Sequence, residues 1–198
     1  MDGSLFRWIN RLADRTDWAH GFFTAYAKYG IVLFAVLLLA AYLDGRQHGD
    51  LPEVAGSVWA AAAALVALAV GQPIGGAVDR ARPYEAMTAI QLLVHKTTDF
   101  SFPSDHATAV GAVAVGLLFT NRRWGTIAAV LAIVMAFTRV YVGAHYPGDV
   151  LAGLVLGGTV AAVGRFVVVP GLIRVASWMS RTVLRPLVSG GTPLTQAA

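Results

Sequence analysis

The chain has 198 residues, 57% hydrophobic and 13% charged, with no cysteine and a formal charge of +4; its mean hydropathy is +0.63 and its isoelectric point about 9.8. That composition excludes an ordinary soluble domain and, without thiols, any disulfide framework or thiolate metal site. The fifteen basic residues lie between and beside apolar runs rather than in one dense patch, which points away from nucleic acid and toward the headgroups of membrane lipids, anionic or phosphorylated.

Residues 4–27 set Leu5, Trp8, Ile9 and Leu12 at helical spacing, with Arg7, Arg11 and Arg15 on another face. Two readings stay open: a helix lying in the membrane interface, or an amphipathic helix packed on a bundle. The charges scattered through this region do not make a secretory signal, so insertion is expected to depend on internal spans. The first span is expected over residues 24–43, with Lys28 near one end, where its stem can snorkel to the headgroups. A polar turn at 44–53 follows, and then a second span at 54–78 that carries no formal charge and is weakened near its end by Gln72 and Pro73.

Residues 79–106 form the longest stretch that does not span. Three apolar runs remain, at 107–120, 124–138 and 150–164. At 1.5 Å per residue each is roughly 21 to 23 Å long, short of a hydrocarbon core of about 30 Å. They cross only if helix continues through their polar ends, which would hold His106 and Arg139 at one level near an interface. Gly153 and Gly157 are spaced for close helix packing, although glycine is also simply tolerated in membrane helices. After Pro170, the arginines at 174, 181 and 185 recur beside apolar residues and suggest a second interfacial helix.

The expected fold is therefore all-α: a polytopic membrane helical bundle of about five transmembrane helices plus an N-terminal interfacial helix. Residues 1–186 form one domain and 187–198 a disordered tail. Five spans place the N-terminus, residues 79–105 and residues 139–149 at the same side of the membrane. Basic residues divide as seven on the opposite side against eight on this one. With Arg80, Arg82 and Arg139 set aside as substrate ligands, the positive-inside rule makes this side external, on the outer face of a cell membrane.

Three clusters meet there: "DRARP" at 79–83, "FPSDH" at 102–106 and "TRVYVGAHYPGD" at 138–149. Ionisable groups at membrane level are costly and normally functional. Arg82 and Arg139 suit the non-bridging oxygens of a phosphate, with Arg80 as a supplementary contact; each could instead be a snorkelling or ion-paired residue. Ser104 reads as a helix N-cap whose hydroxyl and following amides could bind an anion, or merely cap. Asp149, in the first turn after Pro147, can accept from one nitrogen of His145 and leave the other free to attack phosphorus. His106 can protonate the leaving oxygen. Two histidines could also be metal ligands, but no third His or Cys lies close in sequence, so neither a metal nor another cofactor is expected.

With these residues the chain resembles the type 2 phosphatidic acid phosphatase superfamily, whose signature runs K-x6-RP, then PSGH, then SR-x5-H-x3-D. Here stand Arg82-Pro83, then Pro103-Ser104-Asp105-His106, then Thr138-Arg139, His145 and Asp149. The resemblance implies a lipid phosphatase in which His145 becomes a phosphohistidine, Asp149 orients it and His106 serves as acid and then base. Arg82, Arg139 and Ser104 would hold the phosphoryl group, without a metal. "FPSDHA" at 102–107 is similar to undecaprenyl-diphosphatase-like members, which implies a lipid diphosphate substrate. Phosphatidate or phosphatidylglycerophosphate is the alternative. The signature lysine is replaced by Gly75, so a further reading is a member that binds lipid phosphate with little turnover, in which Gly75→Lys would restore activity. A channel or transporter is disfavoured because the charges sit at the ends of the spans.

Overall fold

The computed structural model describes residues 2–190 of the chain. In chain order the helices are α1 (Asp2–Ala13), α2 (Asp17–His48), α3 (Leu51–Val78), α4 (Pro83–Ala86), α5 (Asp105–Leu118), α6 (Arg122–Tyr141), α7 (Pro147–Val167), α8 (Val169–Met179) and α9 (Arg185–Val188). Their boundaries have local causes. Asp50 accepts from the Glu53 amide at 2.9 Å to cap α3, and the Asn121 side chain accepts from the amides of Arg123 and Trp124 to cap α6. Between α2 and α3 the chain reverses at Gly49, whose φ of 70° is reached at little cost only without a side chain. The polar turn expected at 44–53 is thus confined to Gly49 and Asp50, because both flanking helices run on through their polar ends.

The helix expected over 4–27 is broken at residues 14–16 into α1 and the start of α2. Phe6 is fully buried, and Asn10 donates to the carbonyls of Gln91 and Tyr141, so α1 is tied to the bundle by one face. Its other face leaves Leu5, Trp8 and Leu12 exposed. α2, α3, α6 and α7 are long and apolar enough to cross a membrane. α6 and α7 achieve this as the sequence required, by continuing through Arg139 at one end and Arg165 at the other. α5 does not lengthen: its 14 residues span roughly 21 Å. Surrounded by α3, α6 and α7, it buries every residue from Ala107 to Ala114.

Lipid is as apolar as a leucine side chain, so packing between such helices depends on how closely their atoms approach. α7 meets α5 through Gly153, where an added Cβ would stand 2.7 Å from the Ser104 carbonyl oxygen. Around the outside, Leu65, Ile133, Leu151, Val155 and Phe166 are more than half exposed, as a lipid-facing surface requires. The chain is a multi-pass membrane protein. At the end away from the motifs, Arg46 donates to the Pro186 carbonyl and Trp124 to Asp44 at 3.1 Å. Of the disordered tail expected at 187–198, Leu187 and Val188 instead close α9, with Val188 buried; residues 191–198 lie outside the described residues.

Candidate active site

The segment between α3 and α5 folds back over the end of the bundle. It is anchored by the Leu93 amide on the Val142 carbonyl at 3.1 Å and by the Ser101 amide on the Arg80 carbonyl at 2.9 Å. Beneath it lies a cavity of about 670 Å³, lined among others by Arg82, Asp99, Asp105, His106, Arg139 and His145. All three motif clusters therefore meet at one end of the bundle, as the count of spans requires. Each side chain is held by a different element: Arg82 caps α4, His106 stands in the first turn of α5, Arg139 in the last turn of α6, and His145 in the loop before α7.

His145 is 1% exposed, with Nδ1 2.8 Å from the carbonyl oxygen of Ser101. A carbonyl only accepts, so Nδ1 carries the proton and Nε2 keeps its lone pair. Nε2 stands 3.2 Å from Nη1 of Arg82, which also donates to the Ala144 carbonyl at 3.1 Å. Burial, and then the cationic Arg139 and Arg82, push the imidazole well below its ordinary pKa. At neutral pH it is an uncharged base whose free lone pair faces a guanidinium.

Asp149 does not make the bond expected of it. Its Oδ2 is 3.9 Å from Nδ1 of His145, beyond hydrogen-bonding range. The fully buried carboxylate instead accepts from the Tyr146 amide at 2.9 Å, from the Ser101 hydroxyl and from Nη1 of Arg80 at 2.7 Å. As the third residue of α7 it turns back to the amide that opens its own helix, which draws it away from the imidazole. Ser101 bridges the gap, its hydroxyl on Asp149 and its carbonyl on His145.

Arg80 also differs from expectation. Its two terminal nitrogens go to Asp149 and Asp2, and its guanidinium lies 4.0 Å from the Tyr146 ring centroid. Two carboxylates and a ring satisfy it, and it is not among the residues lining the cavity. Arg80 braces Asp149 rather than offering a free phosphate contact.

Arg82 and Arg139 both face the cavity. Arg82 is paired with Asp99 at 3.0 Å. Burial raises the Asp99 pKa, but the Thr97 hydroxyl and the Arg82 guanidinium outweigh it and leave the carboxyl below its usual value. Nε of Arg139 and Oγ of Ser104 are buried with no hydrogen-bond partner among the described residues. Ser104 stands at the N-cap of α5 without capping it through its side chain. Buried donors are normally satisfied, so these two orphans, one of them on the cavity-lining Arg139, are exceptions. Like the amides that open α5, they are donors of the kind a tetrahedral oxyanion accepts.

Sequence reasoning missed Ser101, Asp99 and Asp2. Ser101 lies only three residues before Ser104, yet nothing in that spacing reveals that its carbonyl would meet an imidazole 44 residues away.

Residues 56–170 match the PAP2 superfamily. The chain is 32% identical over 160 residues to undecaprenyl-diphosphatase BcrC of Bacillus subtilis, covering 79% of this chain and 78% of that protein. Its fold is similar to the crystal structure of Aquifex aeolicus LpxE, with a TM-score of 0.61 and 24% identity over 82% of this chain and 93% of that one. It is similar also to a transmembrane PAP2-type phosphatidylglycerolphosphate phosphatase of Bacillus subtilis, with a TM-score of 0.60 and 20% identity over 87% of this chain and 86% of that one. A multi-pass helical bundle, three motif clusters around one cavity and a match across more than half the chain agree: this protein belongs to the PAP2 superfamily and is a membrane lipid phosphatase of that family.

Proposed function

We propose that the protein hydrolyses undecaprenyl diphosphate to undecaprenyl phosphate and inorganic phosphate on the outer face of the membrane, with His145 as nucleophile. The observation that carries this reading is His145 itself: its Nδ1 proton is fixed on Ser101 and its Nε2 lone pair is turned toward Arg82. Likeness to BcrC over most of both chains supports the substrate. With Arg80 counted as a brace, six basic residues remain on the motif side against seven opposite, which still favours an outward site.

In the first step Nε2 attacks the terminal phosphorus and an N–P bond forms. The bridging P–O bond breaks, its electron pair leaves with the lipid phosphate oxygen, and His106, which takes up a proton when the anionic diphosphate binds, donates it to that oxygen. Water then attacks the phosphohistidine, giving its proton to His106; the N–P bond breaks and inorganic phosphate departs with the neutral imidazole restored. Arg82, Arg139 and Ser104 hold the three equatorial oxygens as charge gathers on them, and the loss of these fixed donors is what a mutation there would measure. For Arg82 to serve, the phosphoryl group must replace the Asp99 carboxylate or share the guanidinium with it.

The alternative of a weak, binding-only member rests on Gly75. A Cβ there would stand 2.9 Å from the Phe102 carbonyl oxygen and 3.6 Å from the Phe100 ring. Residue 75 borders a small recess formed with Gly71, Phe100 and Pro103, not the main cavity. Gly75→Lys is therefore expected to lower thermal stability and to give no gain in phosphate release; a gain of tenfold or more with an unchanged unfolding temperature would favour the weak-member reading.

The substrate assignment is tested by phosphate release from purified, detergent-solubilised protein. Undecaprenyl diphosphate, phosphatidate and phosphatidylglycerophosphate are offered at equal concentration. The expected order puts undecaprenyl diphosphate first. A preference for either glycerolipid overturns the substrate and leaves the chemistry standing.

A further inference from the structure

We infer that Lys28 of α2 binds the inner, non-reacting phosphate of a lipid diphosphate and so sets the preference for diphosphate over monophosphate. This rests on the proposed reaction at His145 and adds a residue that lies outside the three motif clusters.

Lys28 stands eleven residues into α2, roughly 17 Å along the helix from Asp17. An ionisable side chain within a spanning helix is costly unless it is paired or used. Lys28 lies 5.1 Å from the Tyr29 ring centroid and pairs with no carboxylate among the described residues. Snorkelling explains an exposed lone cation but not that its residue borders this cavity. Thr24, Ala27 and Lys28, at positions that share one helix face, line the same cavity as His145. The apolar Leu92, Leu93 and Val94 line the same cavity, and Leu93 and Val94 pack in one cluster with Ala27.

The order of groups in the substrate matches these walls. In a lipid diphosphate the terminal phosphorus must reach Nε2 of His145, between Arg82 and Arg139. The inner phosphate follows, and then the hydrocarbon chain. The remaining walls offer one further lysine or arginine, Lys28, and an apolar strip beside it. Charge leads to the same residue. Asp99 and Asp105 line the cavity against Arg82, Arg139 and Lys28, so without Lys28 the two arginines no more than balance the two carboxylates in number, and a second phosphate would have no net attraction. Lys28 also meets the charge released onto the departing lipid phosphate when the bridging bond breaks. The cation missing at Gly75 is thus supplied from a different helix, at the leaving phosphate rather than the transferred one.

The test uses the full chain in detergent, with inorganic pyrophosphate and orthophosphate as probes, their binding read by calorimetry and by competition against substrate. Lys28→Met should lower the ratio of pyrophosphate to orthophosphate affinity by about tenfold, and Lys28→Arg should keep most of it. The same Met variant should lower kcat/KM for undecaprenyl diphosphate by about tenfold more than for undecaprenyl phosphate. An equal change for both members of either pair, as snorkelling or a general field effect would give, overturns the inference, and so does no change at all. The outcome is separable from the parent reading: wild-type release from undecaprenyl diphosphate reports on the substrate, whereas the pyrophosphate ratio reports on Lys28 whichever lipid is hydrolysed.

Discussion

Replacing His145 by Ala should reduce phosphate release by at least about 10⁴-fold, the scale expected when a covalent nucleophile is removed and only binding and electrostatics are left. Because the imidazole is buried and anchors Ser101, loss of chemistry must be told apart from loss of fold. His145→Asn makes that distinction. Its amide can still donate to the Ser101 carbonyl, but its nitrogen carries no lone pair able to attack phosphorus. It should unfold near the wild-type temperature and be as inactive as the alanine variant. If the Asn variant kept more than about a hundredth of the wild-type rate, another group would have to be the nucleophile.

The second large effect is expected at Arg139. The residue is 8% exposed, with Nε unpartnered among the described residues, while its own carbonyl accepts from the amides of Ala144 and His145 at 3.1 and 3.2 Å. The backbone of this residue therefore shapes the loop that carries His145, while Nε of its side chain has no partner among the described residues. Arg139→Lys keeps the charge but loses the planar fork and the Nε donor. It should lower kcat/KM by about 10²- to 10³-fold, the range found when one fixed donor to a developing oxyanion is lost. Thermal unfolding should move by only a few degrees. Activity within threefold of wild type would mean that Arg139 does not contact the phosphoryl group.

The sequence carried the architecture because membrane spans are long, apolar and separated by charge. Counting them was enough to bring residues 79–105 and 139–149 to the same end. It carried the composition of the site for a related reason: arginines and histidines are rare in such a chain and conspicuous when they occur. What it could not carry were contacts that depend on how one irregular segment folds. Asp149 was expected on His145 because both lie close in sequence, yet the capping geometry of α7 turns the carboxylate back to the Tyr146 amide, and Ser101 fills the gap. Arg80 was expected on phosphate because it neighbours Arg82 in the motif. Two carboxylates, one of them on a helix at the far end of the sequence, hold it instead. α5 was expected to lengthen until it crossed; shielded by its neighbours, it stays at 14 residues, since a helix that meets little lipid need not match the bilayer.

The same contrast applies to Lys28 and Gly75. In the sequence, Lys28 reads as a snorkelling residue and Gly75 as a deficiency. In the fold, Lys28 lines the same cavity as His145, and Gly75 lies where the Phe102 carbonyl leaves no room for a side chain.

The central claim, that a phosphoryl group passes from lipid diphosphate to His145, is tested most directly by rapid quenching with the terminal phosphate of undecaprenyl diphosphate isotopically labelled. During turnover the wild-type protein should carry label that is stable to base, labile to acid and confined to the peptide containing His145. His145→Asn should carry none. Label released as inorganic phosphate while the protein stays unlabelled at every time point would contradict the account.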